Sequence, residues 1–140
     1  MKKFIINSFL LFMLIHTIAS CDKMDKNGKL DGTWQMTEWQ NKENGDIVAT
    51  NKDGIYYYVK LDLMKFRIVN KEPTYLSRFQ FTKDSLFIGE VYMSPFDSIV
   101  DASYLKDFGV LPDGKFHIEK LTNANMVLSN DLYRLSFRKY

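Results

Sequence analysis

Chemistry needs acids, bases, nucleophiles or metal ligands held together, and this chain spaces few of them usefully. His117 and Glu119 stand two residues apart, so an extended segment puts them on one face, where an imidazole and a carboxylate can share proton transfer. His117 also alternates with the apolar Phe116 and Ile118, which turns it toward solvent. Asp97 and Asp101 could pair as carboxylates, and Glu38 or Glu90 could enter a cavity from a strand. Acid catalysis would require two such groups in different environments around one bond; solvation or turn hydrogen bonds are the simpler role for each. Ser94, Ser98 and Ser103 lack the glycine-flanked setting of a hydrolase nucleophile. The glycines form no phosphate-cradling loop, and the stretch from Asp22 to Asp31 contains Asp, Asn and Gly but fails the calcium-loop pattern, which needs glycine at the sixth position and glutamate at the twelfth. His117 has no further histidine or cysteine near it in sequence to complete a metal site. The expectation is a protein that is not an enzyme and carries no metal or other cofactor.

The aromatic residues point to binding instead. Trp34, Tyr56, Tyr58, Phe66, Phe79 and Phe81 could line an apolar cavity together with Tyr92, Tyr133 and Phe137, with Arg78 at the rim to meet a polar group. The same side chains, with Tyr57 and Phe87, could equally fill the interior, and so many large groups favour a packed or narrow one. A cavity of a few hundred cubic ångströms would carry ligand capture, whereas a solid core with exposed apolar loops would carry a protein partner.

The first twenty residues have a separate logic. Lys2 and Lys3 precede a mostly apolar run from Phe4 to Ile15, and Ile18, Ala19 and Ser20 lead to Cys21, the only cysteine. This is the order of a signal peptide, and the apolar run is too short to favour a permanent span. The segment resembles the lipobox of bacterial lipoproteins, with Ile18 in place of the commoner leucine. That resemblance implies cleavage before Cys21, acylation of Cys21 with groups such as palmitate, and anchoring to the lipid bilayer of the cell envelope, with the outer membrane expected and its face left open. Residues 21–30 are polar apart from Met24 and Leu30 and read as a flexible tether. Removing Lys2 and Lys3 leaves 17 basic residues against 17 acidic ones, a balance that gives no reason to expect nucleic-acid binding.

Residues 31–140 read as one domain of antiparallel strands. Trp34, Met36 and Glu38 share one face of an opening strand, and the Trp34 indole suits the plug of one barrel end, where its N–H can find an acceptor. Asn41 to Asp53 reads as a loop with a brief extended piece near Ile47 to Thr50. Ile55 to Val69 has large apolar residues on both parities, so it is one bent strand or two short ones with a break near Lys60 to Leu63. Tyr75 to Thr82 and Ser85 to Met93 form the clearest hairpin, with Gly89 marking a bulge or a close backbone approach. Between Asp97 and Phe108 the pattern allows a short strand near Ser98 to Val100 or a helical turn over Ala102 to Phe108 capped by Asp101. Pro112-Asp113-Gly114 is a turn, and strands over Lys115–Leu121, Asn125–Ser129 and Leu132–Lys139 follow. The last strand is placed to pair with the first, which would remove both open edges.

Gly32-Thr33-Trp34 at the head of the first strand, with closing strands around Phe116 to Thr122, Met126 to Leu128 and Tyr133 to Lys139, resembles the lipocalin-like domains of secreted lipoproteins from Bacteroidetes-type bacteria. The resemblance implies an all-β, about eight-stranded antiparallel up-and-down barrel with a central cavity. Together with the aromatic pattern it sets the expectation of an anchored envelope protein that binds a small apolar or amphipathic molecule. The alternative is a protein-interaction or inhibitor module that meets another envelope protein through the loops at Asn41 to Asp53 and Ser94 to Pro112.

Overall fold

A computed structural model describes residues 26–140. The expected signal peptide, Cys21 and the first part of the expected tether lie outside the described residues. Among these, ten strands form one antiparallel sheet: β1 (Gly32–Asn41), β2 (Ile47–Ala49), β3 (Ile55–Lys60), β4 (Leu63–Ile68), β5 (Thr74–Phe81), β6 (Ser85–Ser94), β7 (Ser98–Val100), β8 (Lys115–Leu121), β9 (Asn125–Ser129) and β10 (Tyr133–Lys139). The order runs β1-β3-β4-β5-β6-β8-β9-β10, and β10 pairs again with β1, so eight strands close a ring. The short β2 and β7 flank it, hydrogen-bonded to β1 and β6. Closure satisfies the backbone of what would otherwise be two long edges.

The ring is filled. Trp34 and Met36 from β1, Tyr57 from β3, Met64 and Phe66 from β4, Met126 and Leu128 from β9 and Leu135 from β10 are fully buried, and Phe137 nearly so. The packing follows from strand alternation: most inward positions carry a large apolar group, Ser77 of β5 being a small polar exception, and the rings of Tyr57 and Phe66 meet edge-on at 4.7 Å between centroids. Burial drives the Tyr57 hydroxyl far above its ordinary pKa, and it donates to the carbonyl of Phe108.

Each end of the ring is capped by a short 3-10 segment. Gly28–Leu30 crosses the end where β1 starts: Leu30 is fully buried, and its carbonyl accepts the Trp34 indole N–H at 2.8 Å. Lys139 lies over the indole, 4.7 Å from the ring centroid, and its ammonium donates to the carbonyls of Lys29 and Asp31 at 2.9 and 2.8 Å. Ala102–Phe108 covers the opposite end, with the Asp101 carboxylate accepting from the Ser103 N–H and Phe108 packed 5.5 Å from Phe66. Both the short strand and the helical turn left open by the sequence are therefore present, one after the other.

One expectation changes, and another is resolved between its two alternatives. The spacer reading of residues 21–30 fails from Lys26 onward: Leu30 inserts into the ring, Asn27 donates to the Asp31 carboxylate at 2.6 Å and to the Leu61 carbonyl at 2.7 Å, and Lys26 pairs with Asp62. Ile55 to Val69 divides into β3 and β4 across a tight turn in which Leu61 takes a left-handed φ of 56°. The Gly89 expectation is met both ways. β6 gains one residue on β5 between Ser77 and Phe79, and a Cβ at Gly89 would come 3.1 Å from the Arg78 carbonyl oxygen.

Trp34→Phe keeps an aromatic plug but leaves the buried Leu30 carbonyl without its donor. The variant is expected to lose about 1–3 kcal/mol in urea unfolding, against less than about 0.5 kcal/mol for Tyr58→Phe on the outer face.

Candidate functional site

The candidate site arises from a mismatch in hairpin length. β3 and β4 have six residues each, whereas β5 has eight and β6 ten. The last β4 partner on β5 is Arg78, opposite Leu63, and the Phe79 N–H still donates to the Asp62 carbonyl at 3.4 Å, so Gln80 and Phe81 continue past the β3–β4 turn paired only with β6. The overhanging hairpin faces the Lys26–Asn27 segment across the end of the ring. Between them opens a cleft of about 490 Å³, walled by Lys26, Asn27, Leu61, Asp62, Arg78 and the run Phe79 to Phe81, with Phe87 and Gly89 from β6.

The cleft is amphipathic. Its apolar part is the pair Phe79 and Phe81, with ring centroids 6.5 Å apart, extended by Leu61 and Phe87. Its charged rim is Asp62 between two cations: Lys26 donates to one carboxylate oxygen, and the Arg78 guanidinium stands 3.9 Å from the other. The hydrogen bond and charge of Lys26, aided by the charge of Arg78, hold the Asp62 carboxyl below its usual pKa. An apolar floor with a cationic rim can hold a small molecule that has an apolar body and a polar end.

Of the ten residues considered for ligand contact, the structure brings Arg78, Phe79 and Phe81 together in this cleft. Trp34, Phe66 and Phe137 belong to the filled interior instead of lining a cavity. Tyr56, Tyr58 and Tyr92 lie on the outer face: Tyr56 stacks edge-on with Tyr140, Lys65 stands over Tyr58, and Tyr92 donates to Glu90. For these three the expected inward position is corrected, because β3 buries Ile55, Tyr57 and Val59, and the β6 bulge reverses parity so that Leu86, Ile88 and Val91 point inward. Tyr133 packs on Trp39 at 4.9 Å, at the far end of the ring, beside a second open cleft of about 740 Å³ that also contains Lys71, Lys106 and Asp107. Lys26, Asn27 and Asp62 were not singled out from the sequence. The available signal was Leu30, an apolar residue in a polar stretch, placed to pack just before the strand.

His117 and Glu119 are both exposed on β8, as alternation implies. Glu119 is committed to Arg134, whose Nε donates to it at 2.7 Å. Burial, which alone would raise the Glu119 pKa, is outweighed by hydrogen bonds from Arg134 and Ser129, and the net shift is downward. Among the described residues no group of three histidine, cysteine, aspartate or glutamate side chains is placed to hold a metal ion, and no helix is long and apolar enough to cross a membrane.

Comparison with known proteins accords with this architecture. A lipocalin-like protein from Bacteroides uniformis superposes with a TM-score of 0.61 at 22% identity, over 81% of this chain and all of that one. An uncharacterized protein from Bacteroides eggerthii gives a TM-score of 0.58 at 24% identity, over 79% of this chain and 98% of that one. The NMR structure of a protein from Burkholderia xenovorans gives 0.54 at 12% identity, over 79% of this chain and 82% of that one. At these identities the likeness is one of fold. The search of curated proteins found no match. The family model for the lipocalin-like domain matches residues 13–140, and the chain belongs to that family.

Proposed function

We propose that this protein is a lipoprotein of the bacterial cell envelope, anchored through acylated Cys21, whose lipocalin-like domain binds a small amphipathic molecule in the cleft between Lys26 and the β5–β6 hairpin, and that it acts by capture without catalysis. The observation that carries the reading is the cleft itself: phenylalanine rings on its floor and Arg78 on its rim, at an end of the domain that the anchor keeps close. Lys26 follows Cys21 by five residues, so the chain can separate the two by no more than about 18 Å. The cleft thus lies near the membrane surface, where amphiphiles concentrate, and desolvation of the phenylalanines would supply the affinity. The outer membrane is the proposed location.

A second reading is favoured by a different observation. Phe96, in the turn after β6, and Ile99 of β7 are 67% and 62% exposed, and Ile47 and Val48 of β2 are exposed as well. Apolar groups so open on two barrel-end segments suit a protein-interaction or inhibitor module.

Two measurements test the proposal. Cys21→Ala is expected to abolish both the acyl mass on the intact protein and its retention in the membrane fraction; a wild-type chain of unmodified mass in the soluble fraction would remove the anchor. Native mass spectrometry of protein released gently from host membranes is expected to find a retained small molecule, reduced about tenfold in Phe81→Ala by loss of one aromatic contact surface. A discrete protein partner on an otherwise empty chain would favour the second reading.

A further inference from the structure

We propose that the ligand of this cleft carries one anionic head group, and that the head group takes the place of the Asp62 carboxylate between Lys26 and Arg78. The inference rests on the amphiphile reading above and adds two things to it: the sign of the head and the internal group that it replaces. The rim holds two cations and one anion, so the cleft with Asp62 in place has one positive charge in excess. A cationic head would meet that excess, and a neutral one would leave the Arg78 donors facing water.

The arrangement around Asp62 is that of a carboxylate site already occupied. Asp62 is supplied by the β3–β4 turn, next to the left-handed Leu61, so it reaches the rim from a short connection rather than from a strand. One of its oxygens is bound by Lys26, whereas the other stays 3.9 Å from Arg78, beyond hydrogen-bond length. The Arg78 side chain is 71% exposed, so its fork of donors is available for a planar anion, which it can grip through two parallel bonds. Gln80, on the same side of β5 as Arg78, adds an amide to the same wall. Phe79 and Phe81 leave the opposite face of β5 from Arg78 and Gln80, yet all four line the one cleft at the strand end, where a single molecule can meet both sets. Asp62 thereby acts as an internal competitor: it keeps the two cations spaced when the cleft is empty and opposes a second anion by its charge.

Phenylbutyrate is the probe, with phenylbutanol as its uncharged match. Both are titrated against the full chain by NMR, in nanodiscs when the protein fractionates with membranes and in buffer when it does not, with blanks lacking protein. Phenylbutyrate is expected to bind at least fivefold more tightly than phenylbutanol. Arg78→Gln is expected to erase that difference by weakening only the acid. Asp62→Asn is expected to strengthen the acid about fivefold, the effect of removing one like charge about 4 Å away in a water-like medium, and to leave the alcohol unchanged. These side chains are exposed, and an unchanged amide spectrum outside the cleft verifies the fold of each variant. Equal binding of acid and alcohol, or weaker acid binding in Asp62→Asn, overturns the head-group inference while the amphiphile reading stands. Absence of binding by either probe overturns both.

Discussion

A tryptophan buried inside a protein must find an acceptor for its indole N–H, and much of this molecule follows from how Trp34 does so. Its partner is the carbonyl of Leu30, four residues back, which fixes the preceding segment across the end of the ring. Leu30 then drops its side chain into the core, and Lys139 of the last strand closes over the indole while binding two carbonyls of the same segment. First strand, last strand and N-terminal segment are held at one point. The same fixation sets Lys26 and Asn27 opposite the β5–β6 overhang, so the wall of the cleft depends on a hydrogen bond made inside the core.

The filled interior changes where a ligand can go. In a ring of eight strands the enclosed volume is small enough for side chains alone to occupy it, and here Tyr57, Phe66 and Phe137 do so with methionines between them. The Ala102–Phe108 segment seals the far end through Phe108, which touches both Tyr57 and Phe66. The open space lies at the perimeter instead, where the β5–β6 hairpin outruns the β3–β4 turn. The site is thus a product of strand length, and its charge comes from the turn and the N-terminal segment.

Much of the fold was legible in the sequence because alternation is strong wherever only one parity is apolar. The closing strand is an example: Tyr133, Leu135 and Phe137 face inward opposite Arg134, Ser136 and Arg138. The three consecutive tyrosines of β3 were not legible, since either parity offered a large ring. Tyr57 turns inward with Ile55 and Val59, and its hydroxyl there donates to the Phe108 carbonyl, 51 residues away in sequence. Tyr92 was misplaced for a related reason, because an extra residue at Gly89 and Glu90 reverses the alternation of β6. In the candidate site Arg78, Phe79 and Phe81 stood out by type, while Lys26 and Asp62 did not. A pair 36 residues apart becomes visible only once the Gly28–Leu30 segment is docked.

On this proposal a small amphiphile is held at the perimeter while the interior stays closed. The most direct measurement is NMR mapping of aromatic side chains with a bound amphiphile. Intermolecular contacts are expected to the rings of Phe79 and Phe81, with the resonances of Trp34, Phe66 and Phe137 unmoved. Contacts to Trp34, Phe66 or Phe137 would instead mean that the ring opens to take the ligand inside, and would contradict the proposal.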